Sequence, residues 1–252
     1  MSQEKLKNNS QMDINPPISF QEGPLIVKEI RNWEEKLCVY RLRHKVFCEE
    51  LKWVPCTKDK LEIDEYDQKS VLFGVFDTTT LKPNKKLLAC LRLILPESDF
   101  MLEREFSCLI EPGYHIRKEN DTVEISRLSV APEARGKILS HNFNFYYVSF
   151  LLYKGIYLWS IIHNIKYFYI VVELKFYRLL RIMGFSCRAI GKPEVMEDRV
   201  IAIAAILSRR DFEVLNESRN PAMIRWFSQY QSNPAQEQWQ HTEPYLLHQA
   251  FA

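Results

Sequence analysis

Short apolar runs bounded by turn-forming residues recur at 25–27, 71–76, 87–95, 123–130, 167–172 and 200–207, the last built of small and β-branched residues, and predict six strands. Helical spacing fills the intervals. Trp33, Leu37, Tyr40, Phe47 and Leu51 fall on one stripe, so a helix is expected from Trp33 up to the region that Pro55 ends. A short helix over 102–110 is stopped by Pro112-Gly113, a long apolar helical region covers 143–162, a helix over 174–183 is stopped by Gly184, and another short helix covers 221–230. Residues 56–69 read as a polar, acidic loop, and 78–86 as a connection with Pro83-Asn84 at its turn. Strands at both ends with helices between them predict an α/β (α+β) fold: one domain around a mixed sheet covered on both faces. The expected organisation is a flexible N-terminal segment over 1–22, the domain over 23–215 and a C-terminal extension over 216–252.

Composition narrows the function classes. Only 7 of 252 residues are glycine and none is closely paired with another, which excludes a glycine-rich dinucleotide fingerprint or P-loop. A net charge of +2 offers no basic stripe for nucleic acid. The apolar run over 143–162 approaches the length of a membrane span, but Asn144, Lys154 and Gly155 interrupt it, and a central lysine costs about 3 kcal/mol in lipid; a buried helix is the reading, with no transmembrane span. Six cysteines show no C-x-x-C pair and no metal-ligand spacing with the histidines, so reduced, mostly buried thiols and no metal are expected. The N-terminus lacks the apolar core of a signal peptide, and a cytoplasmic location is expected.

Charge is concentrated in places. The stretch Leu61-Glu62-Ile63-Asp64-Glu65-Tyr66-Asp67 packs four carboxylates into six residues, a density that needs cations nearby, and Arg43, Arg92 and Arg127 are the natural partners. Arg92, Glu124 and Arg127 lie within apolar strands, where an unpaired charge would cost several kcal/mol. Either these groups form a structural ion-pair network, or they line a cleft suited to a zwitterionic or cationic substrate.

The ordered set Leu42-Arg43-His44-Lys45-Val46-Phe47, Trp53, Asp64-Glu65-Tyr66-Asp67, Arg92, Met101-Leu102, Phe106 and Glu124-Ile125-Ser126-Arg127 with Val130 resembles the acyl-homoserine lactone synthases of the GNAT acyltransferase superfamily. The resemblance covers about Arg41 to Val130. It implies a GNAT-like sheet splayed in the middle, between the strands over 123–130 and 167–172, so that a pantetheine arm lies in the gap. It also implies transfer of an acyl group from acyl-acyl carrier protein, carried as a phosphopantetheine thioester, to the amine of S-adenosylmethionine, followed by lactonisation that releases methylthioadenosine. No permanently bound cofactor is implied. Arg43, Phe47, Trp53 and Phe106 would shape the small-molecule amine site, Asp64, Asp67, Arg92 and Arg127 would position the acceptor, and Glu124 would be the general base, working through water; a salt bridge from Glu124 to Arg127 or Arg92 is the bland alternative.

Two departures matter. The superfamily's pyrophosphate loop corresponds to Pro132-Glu133-Ala134-Arg135-Gly136-Lys137-Ile138, where Glu133 would repel phosphate, and this favours a carrier-protein donor over coenzyme A and disfavours an acetyl-coenzyme A acetyltransferase. The longer chain is also similar to N-acyl amino acid synthases, whose acceptor is a free amino acid. A non-catalytic GNAT-like binding module is the reading from a different class. Residues 131–215 hold 12 basic and 7 acidic side chains, and Lys175, Arg178 and Arg181 recur every three positions on one helix as a docking stripe for an acidic carrier protein or as a plain solvated face. The aromatics Phe143, Phe145, Tyr146, Tyr147, Phe150 and Tyr153 read as core packing or as the wall of an acyl tunnel.

Overall fold

The computed structural model describes residues 16–79, 86–136, 138–141, 144–196 and 199–230. The chain runs β1 (Ser19–Glu22), β2 (Leu25–Ile30), α1 (Trp33–Arg43), β3 (Ser70–Asp77), β4 (Lys86–Ile94), α2 (Met101–Arg104), β5 (Thr122–Val130), β6 (Ile138–His141), β7 (Asn144–Tyr147), α3 (Val148–Ile162), β8 (Tyr167–Glu173), α4 (Leu174–Ile182), β9 (Cys187–Ala189), β10 (Glu194–Val195), β11 (Ile201–Ser208), α5 (Arg209–Arg219) and α6 (Pro221–Ser228). The main sheet has the order β1-β2-β3-β4-β5-β8-β11-β10, with β9 also paired to β11; β6 and β7 form a separate hairpin. Neighbours pair antiparallel except β5 and β8, which are parallel.

That one parallel pair is short. Its register runs from Thr122 opposite Tyr167 to Ile125 opposite Ile170 and then stops, although β5 continues to Val130 and β8 to Glu173. The expected splayed mixed sheet is therefore present, and the strands part where the expectation put the gap. Directly opposed residues share a face. Arg92 opposes Ser126 and Ile94 opposes Glu124, so these four point to one side, the side on which α1 sends Arg43 to Asp67 and α2 sends Leu102 to Glu124. The other side carries α3, whose Gly155 fits against Phe73 and Val27 with a Cβ-to-carbon clearance of only 3.2–3.3 Å.

Several expectations need correction. The lead-in through residue 22 is not loose at its end: Ser19–Glu22 is an edge strand whose Ser19 and Phe20 are buried, because Phe20 packs under α3; residues 1–15 lie outside the described residues. The domain does not end at 215. α5 continues to Arg219 and α6 buries Met223, Trp226 and Phe227 in the main core, so only the part after 230 lies outside the described residues. The first helix leaves its α-helical spacing after Arg43 and passes into a π-helix, His44–Glu50, which rotates the later side chains; Trp33 ends up 58% exposed and off the core stripe. The hairpin β6–β7 replaces the front of the expected apolar helix. The turn expected at Pro83-Asn84 lies outside the described residues. Of the cysteines, all unbonded, Cys48, Cys90 and Cys187 are buried while Cys56 and Cys108 are exposed.

Helix α3 is a core helix: among the described residues no helix is long and apolar enough to cross a membrane. Its Lys154 is buried, and its ammonium donates to Glu22 Oε1 of β1 at 2.5 Å while sitting over the rings of Phe20 and Trp226 at 5.0 and 4.8 Å. Removing one partner of a buried pair strands the other charge. Glu22→Gln is expected to lower unfolding free energy by about 3 kcal/mol in urea titration, whereas Lys154→Met combined with Glu22→Gln recovers most of the loss.

Candidate active site

The π-helix ends with the amides of Trp53 and Val54 both donating to the Phe47 carbonyl, at 2.8 and 3.3 Å, which brings Trp53 beside the Phe47 ring with centroids 6.0 Å apart. β5 contributes a bulge. Ser126 opposes Arg92 and Ser129 opposes Cys90, so Arg127 and Leu128 face only Leu91, and Arg127 takes a left-handed φ of +53°. A non-glycine residue in that region costs about 1–3 kcal/mol and needs compensation. The Arg127 guanidinium supplies it: Nε donates to Glu62 and Nη2 to Asp64, both at 2.9 Å, and the group lies 5.4 Å from the Phe47 ring centre.

These contacts belong to a network of three arginines and three carboxylates. Arg43, fully buried, binds Asp67 through two parallel hydrogen bonds of 2.6 and 3.0 Å and donates its Nε to Glu62. Arg92, also fully buried, bonds Asp64, approaches Asp67 at 3.1 Å, and donates to Ser126 Oγ at 2.9 Å. The Met101 sulfur touches Arg92 at 3.2 Å and Arg127 at 3.5 Å. Asp64 caps the short helical turn that carries Asp67, and the Asp64 amide donates back to the Asp67 carboxylate at 2.9 Å, so the loop presents its acids as a rigid unit. The fourth carboxylate, Glu65, turns outward to Arg104. Burial opposes ionisation of Asp67, but the hydrogen bonds and charge of Arg43 with the charge of Arg92 outweigh it and hold its carboxyl below the ordinary value.

Glu124 stands apart. It pairs with neither Arg92 nor Arg127; its carboxylate accepts from the Leu102 amide at 3.2 Å, and burial, only partly offset by the amides of Met101 and Leu102 and the charge of Arg92, raises its pKa to about 8.

Beyond the bulge the parted strands open into a cavity of about 900 Å³. Val46, Phe47 and Trp53 line it from one face of the sheet, Ser126, Arg127, Val171 and Val172 at the gap, and Tyr153, Ile156 and Tyr157 of α3 from the other face, so it passes through the sheet. Tyr147 and Phe150 also line it; Phe143 lies outside the described residues. The segment expected to hold a pyrophosphate is a short turn over Pro132–Ala134 that leads into the β6–β7 hairpin rather than a helix, and Glu133 is neutralised by Lys86 at 2.7 Å, which with Lys45 lowers its pKa to about 2. Lys175, Arg178 and Arg181 are exposed on α4, and among the described residues none makes an ion pair, while Phe176, Leu179 and Leu180 of the same helix line the cavity.

The sequence groups all six network members as an acidic run and its arginine partners, and the five given a site role, Arg43, Asp64, Asp67, Arg92 and Arg127, do converge. Glu62 falls outside the candidate set, although its position two residues before Asp64 places it in the same acidic run. Phe106 does not line the cavity; it is half-buried against the second apolar cluster with Tyr66 and Leu109. Phe185, Phe212 and Phe227, which line the far part of the cavity, carry no local signal in the sequence.

A family model described as "Autoinducer synthase" matches residues 29–215. An acyl-homoserine-lactone synthase of Rhizobium radiobacter is 28% identical over 182 residues, 69% of this chain and 80% of that protein. One of Aliivibrio fischeri is 27% identical over 164 residues, 64% and 79% of the two chains. Among solved structures, the AHL synthase LasI superposes with a TM-score of 0.62 at 17% identity over 77% of this chain and 95% of that one. BjaI, a CoA-dependent acyl-homoserine lactone synthase solved with SAM and isopentyl-CoA, superposes with a TM-score of 0.60 at 20% identity over 73% and 82%. These structural likenesses establish the GNAT-like fold.

The network sets a pH dependence. Since the folded-state pKa of Asp67 is below the unfolded value of about 3.9, its contribution is complete above that value and is lost as pH falls through the folded pKa. Asp67→Asn, which leaves Arg43 without its bidentate partner, is expected to lower stability by about 3–5 kcal/mol at pH 7 and to flatten the acid limb of stability against pH in urea melts.

Proposed function

Because this chain belongs to the autoinducer synthase family, matched over residues 29–215, we propose that it transfers an acyl chain from the phosphopantetheine thioester of acyl carrier protein to the amine of S-adenosylmethionine, the product closing to an N-acyl-homoserine lactone. The observation that carries this reading is the cavity that passes through the sheet at Arg127: on one face it meets Arg127, behind which the rest of the charged network stands, suited to a zwitterionic acceptor, on the other it is an apolar sleeve for an acyl chain, and the gap joins them. BjaI was solved with S-adenosylmethionine and isopentyl-CoA, and the gap between β5 and β8 here supports a thioester donor and that acceptor.

The acceptor arrives as an ammonium and must lose a proton before its nitrogen can attack. Glu124 lies on the face of β5 shared with Ser126, two positions away and so about 7 Å along the strand, a span that a relay of two waters bridges. Its raised pKa makes it a stronger base than a solvated carboxylate. The nitrogen then attacks the thioester carbon, the pantetheine thiolate leaves with a proton, and the acceptor's carboxylate later closes the lactone by displacing methylthioadenosine. The β5 amides beyond Ile125 have no β8 ladder partner on the gap side, which suits them to a developing oxyanion.

The donor follows from charge. α4 turns apolar side chains into the cavity and exposed Lys175, Arg178 and Arg181 outward, so an acidic carrier protein docking there would stand beside the gap.

Mass spectrometry of lipophilic products from expressing cells should show a homoserine lactone head group; an intact amino acid head group would transfer the reading to an N-acyl amino acid synthase. With acyl-carrier protein as donor, K175E/R178E/R181E is expected to raise KM about tenfold and to leave KM for the matching acyl-coenzyme A unchanged; equal effects on both would exclude the docking face. The Glu124 carboxylate must be ionised to act, so kcat/KM should rise with pH and level off above about 8, a limb that Glu124→Gln abolishes with a loss of about 100-fold or more.

A further inference from the structure

We infer that the C-terminal helices α5 and α6 close the far end of the cavity and gauge the acyl chain, with Phe212 and Phe227 as specificity-determining side chains. The inference rests on the acyl-transfer reading above and adds which chain the site takes.

The cavity has an open and a closed end. At the gap it is bounded by Ser126, Arg127, Val172 and Glu173; at the other end, where β5 and β8 are still paired, Phe168 and Leu207 line it together with Phe212 and Phe227. The rings at the closed end form a continuous chain. Phe185 stacks on Phe212 at 5.3 Å with planes 16° apart, Phe212 meets Phe227 at 5.3 Å, and Phe227 stands edge-on to Tyr157 at 5.5 Å. Phe227 is only 1% exposed, so its ring is packed against neighbours on nearly every side. Phe227 also lies beyond the residues that the family model matches, so this part of the wall is supplied by a helix outside the matched region.

The floor is fixed in place. Asn216 of α5, buried, donates from its Nδ2 to the Phe212 carbonyl and to the Gly184 carbonyl, each at 2.8 Å, and Gly184 adopts a φ of +94° with no room for a Cβ beside Asn216 Oδ1. Asn220 caps α6 through the Met223 amide, and the Trp226 ring packs on the Lys154 ammonium. A floor tied at these points cannot retreat to admit a longer chain without breaking buried hydrogen bonds.

The length follows from the strand. β8 lines the cavity from Phe168 to Val172, about 13 Å at about 3.3 Å per residue. An extended chain advances about 1.2 Å per bond, so the sleeve takes an acyl chain of roughly ten carbons. The lining along this stretch is apolar, which suits a saturated tail.

The test is titration calorimetry of the full-length protein with octanoyl-, decanoyl- and tetradecanoyl-pantetheine, alongside the product profile. The wild type should bind the decanoyl thioester about tenfold more tightly than the tetradecanoyl one, or better. Phe227→Leu and Phe212→Leu, which open the floor while keeping it apolar, should reduce or reverse that preference by about tenfold, and Leu207→Phe, which fills the same end, should shift it toward octanoyl. An unchanged preference in variants with wild-type thermal melting would overturn the gauge, as would failure of the wild type to bind any of the thioesters. Chain-length-dependent binding without any N-acyl product would instead count against the acyl-transfer reading and leave the gauge standing.

Discussion

The separation of β5 from β8 after Ile125 and Ile170 is the constraint on which the rest of the molecule depends. Two parallel strands at the centre of a sheet would ordinarily stay paired, because each lost ladder bond leaves a donor and an acceptor unsatisfied. Here the bulge at Arg127 bends β5 away and commits one residue to a left-handed conformation. What keeps that arrangement from relaxing is the grip of Glu62 and Asp64 on the Arg127 side chain. The opening and the charged cluster are therefore one structure: the cluster holds the bulge, the bulge holds the gap, and the gap gives the cavity access to both faces.

The cluster is internally neutral, with three guanidinium groups against three carboxylates, and this explains how so much charge survives under α1. Neutrality alone would not suffice, because desolvation of each ion costs several kcal/mol; the paired hydrogen bonds between Arg43 and Asp67 and the capping of the acidic loop meet that cost through geometry. Its members are not equally deep. Asp64 and Arg127 are the most open, at 21% and 13%, and of the two only Arg127 lines the cavity at the gap, with Asp64 hydrogen-bonded to it from behind. The carboxylate of a zwitterionic ligand would meet a cation already held in place.

How much of this the amino-acid sequence disclosed depended on range. Strands such as β3, β4 and β11 were legible because a short continuous apolar run is itself the cause of their burial. The convergence of Arg43, Arg92 and Arg127 on the acidic loop was legible because charge density demands compensation wherever the chain goes. The β1 strand was not: Ser19–Glu22 has one aromatic residue among polar ones, and only pairing with β2 and packing on α3 make it ordered. The π-helix was hidden because the apolar stripe continues through it with altered spacing. The packing of α6 was hidden for another reason: Met223, Trp226 and Phe227 look like scattered apolar residues in a polar tail until α3 and α5 supply the surface they bury. Phe106 misled because a residue next to a motif need not share its face.

The buried contact between Lys154 and Glu22 has a consequence for how the molecule assembles. Its two residues are 132 positions apart, joining an edge strand near the start of the chain to the central helix. Until that long loop closes, α3 carries a lysine among apolar side chains with no carboxylate to meet it, so the helix cannot settle early on a bare half-sheet. The contact makes the final docking of α3 conditional on β1, and with Trp226 over the same ammonium it draws α6 into the same event. Both ends of the described chain are therefore energetically tied to the same buried charge, which favours cooperative folding over a stable partial structure that would expose the unfinished cavity.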